Sequence, residues 1–490
     1  MRKVKLALIV SVSIATSIAL QANDSYSFEE EISKISKSLE SEFVKYENKK
    51  DMFEDTNDFE EGFDDEVEEL VEEITSKEEE ESLLISIPGL SGKITQQASY
   101  SLRKKEHHDG LTSLRSSIFL DYENKFESGL RFKVNAKTYY DSIYSIKKEE
   151  VFTKEEKDVL GSEVRLYDAY VEGQITDNLD VKFGRQVVVW GRSDTIRVTD
   201  VINPIDNRNP GMTDIEDIRI PLTMVKLDYF IGDWRITPIA ILEQSFSLNP
   251  PYGSNFYPFE MNSPKEKEYK GVSPALSVGA EFNGWDINFY ASRLRDDEGH
   301  INIDFEEGMT KKHNEVNMLG TAINVLSGSW LFKTEFAYKD GLKYTWTKDK
   351  DFSRTDLLLG VEYNGISDTT INYDVVTRKI GGYDESLMNP YFPIEETTYQ
   401  HALRIGSSFL NSELKVDYVI SMNGKSLNEG GFQRATMKYE IADGINANLG
   451  VVDYIGTKKT GEMASGAGSM SLFNEIKDND MVFMDISYSF

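Results

Sequence analysis

The last ten residues of this 490-residue chain, Met481 to Phe490, alternate in polarity up to the final aromatic residue. Met484, Ile486, Tyr488 and Phe490 fall on one face of a period-2 strand, and Asp485, Ser487 and Ser489 on the other. Chain ends usually fray in water, so a globular fold seldom stops in mid-strand. A membrane barrel requires such an ending, because its last strand must pair with its first or leave an open edge in lipid. The plainer alternative is an ordinary edge strand.

The other end agrees with the barrel. Arg2, Lys3 and Lys5 precede an apolar stretch over residues 6–20, too short to span a bilayer as a helix. Small residues follow, so residues 1–22 are expected to be a secretory signal peptide, cleaved after Ala19 or Ala22. No later stretch approaches the ~20 apolar residues of a membrane helix. An exported barrel or a soluble periplasmic protein remains. Hydrophobic residues make up 39 % of the chain, which suits a barrel that shows lipid only every second residue. With no cysteine there are neither disulfides nor thiolate metal sites.

The net charge of −30 is uneven. Between positions 24 and 81 stand 24 acidic residues against six lysines, more than half of the whole excess. Phosphates would repel such a chain, so nucleic acid is not an expected partner. Within residues 23–88, Phe28, Ile32, Ile35, Leu39, Phe43 and Tyr46 recur at helical spacing, as do Phe59, Phe63, Val67, Leu70 and Ile74. Two expectations stand side by side: a solvated, partly disordered acidic linker, or a periplasmic helical arm that docks a periplasmic or inner-membrane transporter partner. The acid clusters at Asp64-Asp65-Glu66 and Glu78 to Glu81 lack the spacing of a calcium loop. No metal or other cofactor is expected.

From residue 89 to 490 the helical period gives way to strand-like segments of ~10 residues, joined in pairs by tight turns. Turns are expected at Glu123-Asn124-Lys125, Asp177-Asn178, Gly232-Asp233, Asn283-Gly284, Gly328-Ser329, Asn364-Gly365, Asn411-Ser412 and Asp443-Gly444. Nine longer, polar connections alternate with them. The reading is an all-β, antiparallel transmembrane barrel of about eighteen strands, starting near Ile94. It sits in the outer membrane of a Gram-negative bacterium among lipid and lipopolysaccharide, with both termini periplasmic.

Alternation assigns the faces. Leu130, Phe132, Val134 and Ala136 point to lipid, while Arg131, Lys133, Asn135 and Lys137 point inward. Trp330, Phe332, Phe336 and Tyr338 point out, with Lys333, Glu335 and Lys339 in. An Arg or Lys facing lipid costs about 2–4 kcal/mol at midplane, which fixes the choice. The lumen is expected to be polar, with both signs of charge interleaved. Pore-lining candidates on the wall are Arg131, Lys133, Asp168, Glu172, Lys226 and Asp228. Each also has a plainer role, in a cross-strand ion pair that stiffens the wall.

One strand breaks the pattern. With Leu179, Val181 and Phe183 pointing out, Arg185 would face lipid; a bulge at Gly184 is expected to turn it inward. The long connection that follows, residues 191–217, is expected to fold into the barrel as a constriction or to cover its mouth. Its candidates are Arg192, Asp194, Arg197, Asp200, Asp206 and Arg208. The alternative is a self-bonded Ω-loop that uses these groups for its own backbone.

The run Gly184-Arg185-Gln186, the turn Trp190-Gly191, the segment Asn203-Pro204-Ile205-Asp206 and then Arg219-Ile220-Pro221 resemble an outer-membrane porin-like family known as domain of unknown function 1302. The terminal phenylalanine likewise resembles the signal by which outer-membrane barrels are recognised for insertion. The family resemblance implies an outer-membrane barrel, associated with movement of lipidic or other hydrophobic molecules alongside inner-membrane exporters. It supplies no site residues and does not cover the acidic arm.

Pro250-Pro251-Tyr252, Phe256-Tyr257-Pro258-Phe259 and Tyr391-Phe392-Pro393 place aromatics in loops, where they pack the loops together or dock an amphiphile. No catalytic motif occurs, neither a nucleophile elbow nor a zinc helix nor a phosphate loop, and an enzyme is not expected. The five histidines, His107, His108, His300, His313 and His401, are expected on the surface. Three functions fit: a porin or channel for small solutes, narrowed by the 191–217 loop; a conduit for a hydrophobic or amphiphilic molecule coupled to a partner through the arm; and a structural, plugged barrel.

Overall fold

The computed structural model describes residues 87–490 except 104–108, 148–150, 258–261, 305–307, 346, 348–349, 389–392 and 458–473. The signal peptide, the acidic arm, His107-His108, Pro258-Phe259 and Tyr391-Phe392 lie outside the described residues.

The strands in chain order are β1 (Leu90–Ser101), β2 (Gly110–Lys125), β3 (Arg131–Asp141), β4 (Ser162–Thr176), β5 (Leu179–Gln186), β6 (Leu222–Ile231) and β7 (Trp234–Ile241). Next come β8 (Lys265–Glu266), β9 (Ser273–Phe282), β10 (Trp285–Arg295), β11 (His300–Asp304), β12 (Gly308–Lys312), β13 (Glu315–Ser327) and β14 (Trp330–Leu342). The last are β15 (Phe352–Ile366), β16 (Thr369–Gly381), β17 (Thr397–Phe409), β18 (Leu414–Asn423), β19 (Glu429–Ala442), β20 (Ile445–Thr457) and β21 (Met481–Ser489). Eighteen of them form one antiparallel ring; β8, β11 and β12 make a separate three-stranded sheet in the long loops.

The ring closes because the terminal strand pairs with the first, from Lys93 opposite Ser489 to Ser101 opposite Met481. Phe490 continues the ladder: its N–H donates to the Gly92 carbonyl at 3.0 Å, and the Gly92 N–H donates back at 2.9 Å. The Phe490 ring fills the place where a side chain at residue 92 would stand, so a larger residue there would have to displace the terminal ring.

Eight connections are short, as expected. Two turns sit a few residues from their expected places, at 126–130 and at Ser367-Asp368, because the strands before them run on further than their composition suggested. Asp368 adopts positive φ there, a conformation that Asp tolerates better than most side chains.

Outward alternation holds around the ring. Trp330, Phe332, Phe336 and Tyr338 are exposed, while Lys333 and Glu335 between them are buried. Exposed Leu, Val, Ile and Phe side chains recur on the outer face of nearly every strand. Aromatics gather toward the short-turn rim: Trp234 against Phe282, Phe282 stacked on Trp285, Trp330 against Tyr363, and Tyr488 against Phe490. A closed barrel with an apolar belt and an aromatic girdle is the architecture of an outer-membrane protein.

The inner face differs from expectation in one respect. It is not polar throughout. Met224 on β6, Ile239 and Ile241 on β7, Tyr290 on β10, Met318 and Ala322 on β13, Leu358 on β15 and Val376 on β16 form a continuous buried apolar cluster inside the barrel. The opposing side of that cluster comes from the connection between β5 and β6.

Candidate functional site

Residues 187–221 leave β5, cross the lumen and return to β6. Their apolar side chains Val188, Trp190, Ile196, Val198 and Ile202 are all less than a tenth exposed and pack on the apolar inner wall. Trp190 stacks on Tyr290 with ring centroids 4.6 Å apart. This burial explains why the inner wall is apolar here: it is a docking surface for the loop, not a face open to water.

Polar anchors fix the rest. The buried Glu335 carboxylate on β14 accepts from the N–H groups of Arg192 (2.6 Å), Ser193 (2.9 Å) and Thr199 (3.2 Å) and from the Thr199 hydroxyl (2.7 Å). Asp374 on β16 accepts from the hydroxyls of Ser193 (2.7 Å) and Thr195 (2.6 Å). Arg192 pairs with Asp286 on β10, and Asp194 with Lys333 at 3.3 Å. Further along, Asp214 is held by Arg404 on β17 at 3.2 Å and by Arg434 on β19. The Tyr454 hydroxyl on β20 donates to the Pro210 carbonyl at 2.5 Å. β17 lies nine strands from β5, half-way round the ring, so the loop reaches the opposite wall.

Where the loop leaves and returns it is braced on itself and on β4. Asp200 takes both Arg197 (3.1 Å) and Arg219 (2.9 Å). Arg208 bridges Asp206 (2.6 Å) and Glu163 (2.7 Å), and Arg165 reaches Asp206 at 3.1 Å. Burial alone would raise the Asp206 carboxyl, but Arg208 and Arg165 outweigh it and hold it below the usual carboxylate range. The loop is therefore self-bonded at its base and wall-bonded at its far side.

The wall candidates occupy one side of the lumen, and the structure brings them together as ion pairs. Arg131 pairs with Glu123 (3.2 Å) and Glu172, Lys133 with Asp121 (3.1 Å), and Lys226 with Asp228 (2.5 Å). Asp168 accepts from the Asn135 amide at 3.1 Å. Arg185 departs from expectation. No register shift interrupts β5 against β4 or β6 between Phe183 and Gln186, so no bulge turns it. Arg185 stays on the outer face with Val181 and Phe183. There it pairs with Glu243 (2.5 Å) and donates to the Leu166 carbonyl (3.0 Å). The ion pair replaces the inward turn as the way to neutralise that charge.

A cavity of about 1030 Å³ remains beside the loop, toward the short-turn end of β15 to β21. Asp194, Met212, Asp214 and Asp217 of the loop roof it; Asn372, Arg404, Asn446, Asn448 and Asp485 are among its walls. On the long-loop side an apolar cluster ties loops to the wall, where Phe256 and Met212 pack on Tyr454, Ile476, Met481 and Phe483. Phe256 thus packs one loop onto the far wall.

Sequence reasoning missed Asp214, Asp286 and Tyr290 as partners of the loop. Alternation along β10 is a signal that could place Asp286 and Tyr290 on the inner face, but it does not say what they meet. His313 was expected on the surface but is buried, stacked on Phe246 at 3.4 Å, with Nδ1 2.5 Å from the Asp296 carbonyl. That outer-loop cluster is tied to the crossing loop. Asp297 accepts from the Ser247 N–H (2.7 Å) and hydroxyl (2.5 Å), and the Ile205 N–H donates to the Ser247 hydroxyl oxygen (2.8 Å).

The tie is expected to respond to pH. Burial pushes the Asp296 carboxyl up to about 6, with Glu298 adding repulsion, and raises Asp297 as well. A raised carboxyl stabilises the folded loop in its protonated form; that contribution is whole below about 4 and is lost as the pH rises through about 6. Amide exchange at Ser247 and Leu248, corrected for its intrinsic pH dependence, should therefore be faster at neutral pH than at pH ~4. Equal protection at both would show that these carboxyls do not govern the tie.

A family model described as "Protein of unknown function (DUF1302)" matches residues 95–490. No curated protein matches the sequence. Among solved structures the chain is similar to Pseudomonas aeruginosa OccK8 (OprE), at 10 % identity over 82 % of this chain and 98 % of that one, with a TM-score of 0.46. It is similar to Pseudomonas aeruginosa OpdK, solved with vanillate, at 8 % identity over 82 % and 98 %, with a TM-score of 0.47. A loop L8 deletion mutant of Vibrio cholerae OmpT follows at 10 % identity over the same shares, with a TM-score of 0.38. The family match runs from within β1 to Phe490, the crossing loop included, and the chain belongs to the DUF1302 family.

Proposed function

We propose that this barrel is an outer-membrane channel for small polar solutes, narrowed by residues 187–221, with both termini on the periplasmic side. The observation that carries it is the loop itself. It spans the lumen and is bonded to the wall on both sides, yet it leaves a polar cavity of about 1030 Å³ beside it. A purely structural barrel has no need of a water-accessible, charged chamber behind a fitted loop. The test is conductance of the refolded chain in planar bilayers. A small, steady, ohmic current supports the channel. Stable insertion without current overturns it.

One observation favours an amphiphile conduit as the second reading. The wall is low at β5 and β7, eight residues each, beside a β4 of fifteen. Pairing of β4 with β5 ends at Ala169, which leaves Ser162 to Asp168 without a neighbouring strand on that side. Val164 there is 83 % exposed. Such a gap opens toward lipid, and the acidic arm would then recruit a periplasmic or inner-membrane partner. Silent insertion together with transfer of a fluorescent fatty acid across the bilayer would favour this reading.

A further inference from the structure

Most cations on the inner wall are neutralised, and three of those that make no ion pair with a described residue line one chamber. Lys415 on β18 stands directly opposite Lys438 on β19. Both point inward and line the cavity, with Lys93 of β1 on the same chamber. None of the three makes an ion pair with a described residue. Like charges directly opposite each other destabilise a sheet, so the arrangement needs a compensating role. Elsewhere in the same barrel such a pair is neutralised. Lys182 faces Lys226 across β5 and β6, but Glu172 lies 3.5 Å from the first and Asp228 2.5 Å from the second.

The carboxylates nearby do not fill that part at Lys415 and Lys438. Asp417, the next inward residue on β18, is bonded to Arg404 at 2.8 Å. Asp485 on β21 accepts from the Asn448 amide at 2.9 Å and lies in the field of Lys93, Lys438 and Lys137 without touching them. Glu440, one inward step toward the turn from Lys438, makes no ion pair with a described residue. Asp214 is committed to Arg404 and Arg434. Asp217 and Asp368 also line the chamber without an ion pair to a described residue, but neither pairs with Lys415 or Lys438, so the two facing ammonium groups have no carboxylate partner among the described residues.

We infer that Lys415 and Lys438, with Lys93 across the chamber, form a binding site for a small oxyanion, a carboxylate or phosphate group carried by the permeating solute. An anion seated between the two ammonium groups turns their repulsion into two attractions, which no uncharged solute does. The site lies at the short-turn mouth, on the chamber side of the crossing loop, where it raises the local concentration of anionic solute beside the constriction. This inference deepens the channel reading and rests on it.

The test compares wild type with a double variant, Lys415→Gln and Lys438→Gln, in bilayers under a potassium chloride gradient. Both side chains are exposed at the mouth, so the barrel is expected to fold. The chloride-over-potassium permeability ratio should fall about threefold, the order that a unit charge a few ångströms away imposes in water-like surroundings. Inorganic phosphate and acetate, added from the short-turn side, should reduce the wild-type current and have a weaker effect on the double variant. Lys415→Arg with Lys438→Arg should restore both readouts. An open pore with unchanged selectivity and unchanged anion inhibition in the glutamine variant overturns the site while leaving the channel standing. If every variant is silent, the channel reading fails, and broadening of the phosphate ³¹P signal by detergent-solubilised protein then decides the site by itself. Broadening by wild type alone supports it; equal behaviour of the two overturns it.

Discussion

Replacing Glu335 by alanine should open the channel, raising single-channel conductance severalfold while the barrel stays folded. Glu335 is 1 % exposed and accepts four hydrogen bonds from residues 192–199. Removing the carboxylate leaves three backbone N–H groups and one hydroxyl without their acceptor. Each orphaned group costs about 1–3 kcal/mol if it stays buried. Together these exceed what one stretch of loop can bear, so the segment leaves the wall and its donors turn to water. The strands of β14 keep their ladder, because Glu335 contributes only its side chain to the loop. Glu335→Gln retains one acceptor oxygen and should lie between wild type and alanine. Conductance, with amide exchange at Arg192, Ser193 and Thr199, reads the result directly. Unchanged current and protected amides would mean that the apolar contacts hold the loop unaided.

Much of this barrel was legible in the sequence, for a physical reason. Lipid enforces the alternation of the outer face at 2–4 kcal/mol for a misplaced Arg or Lys. Strands, turns and facing therefore followed from polarity at Phe332, Lys333 and Glu335 or at Leu414, Lys415 and Val416. The terminal strand and Phe490 predicted closure, and closure is what β21 and β1 make. The inner face was less legible, because an inward position only has to avoid lipid. Met224, Leu358 and Val376 are inward and apolar, and nothing local says that a loop from β5 will cover them. Arg185 misled for a related reason. Its partner Glu243 lies 58 residues on, and a pair that distant carries no signature within the strand, so a bulge was the only local remedy. Asp214 was passed over because its partners Arg404 and Arg434 lie more than 180 residues away in sequence.

Replacing Trp190 by alanine should release the same loop by a different route. Trp190 is 4 % exposed, stacks on Tyr290 and sits at the centre of the apolar docking face. Truncating a buried tryptophan costs about 3–5 kcal/mol, and here the loss falls on the loop rather than on the strand ladder. The Gly191 N–H, which donates to the Tyr290 hydroxyl at 3.3 Å, loses its positioning at the same time. The expected result is an intact barrel with fast-exchanging amides over residues 188–202 and a larger, noisier current. Combining Trp190→Ala with Glu335→Ala then asks how the loop lets go. The two sites flank one short segment, so their effects should not add. If polar and apolar anchors form one cooperative unit, the double variant conducts no more than either single variant, because the loop is already free. If each anchor holds its own part, conductance rises in two steps. The shared segment from Trp190 to Thr199 argues for the first outcome. Ten residues that carry both the stacked ring and all four bonds to Glu335 have little freedom to leave the wall by halves.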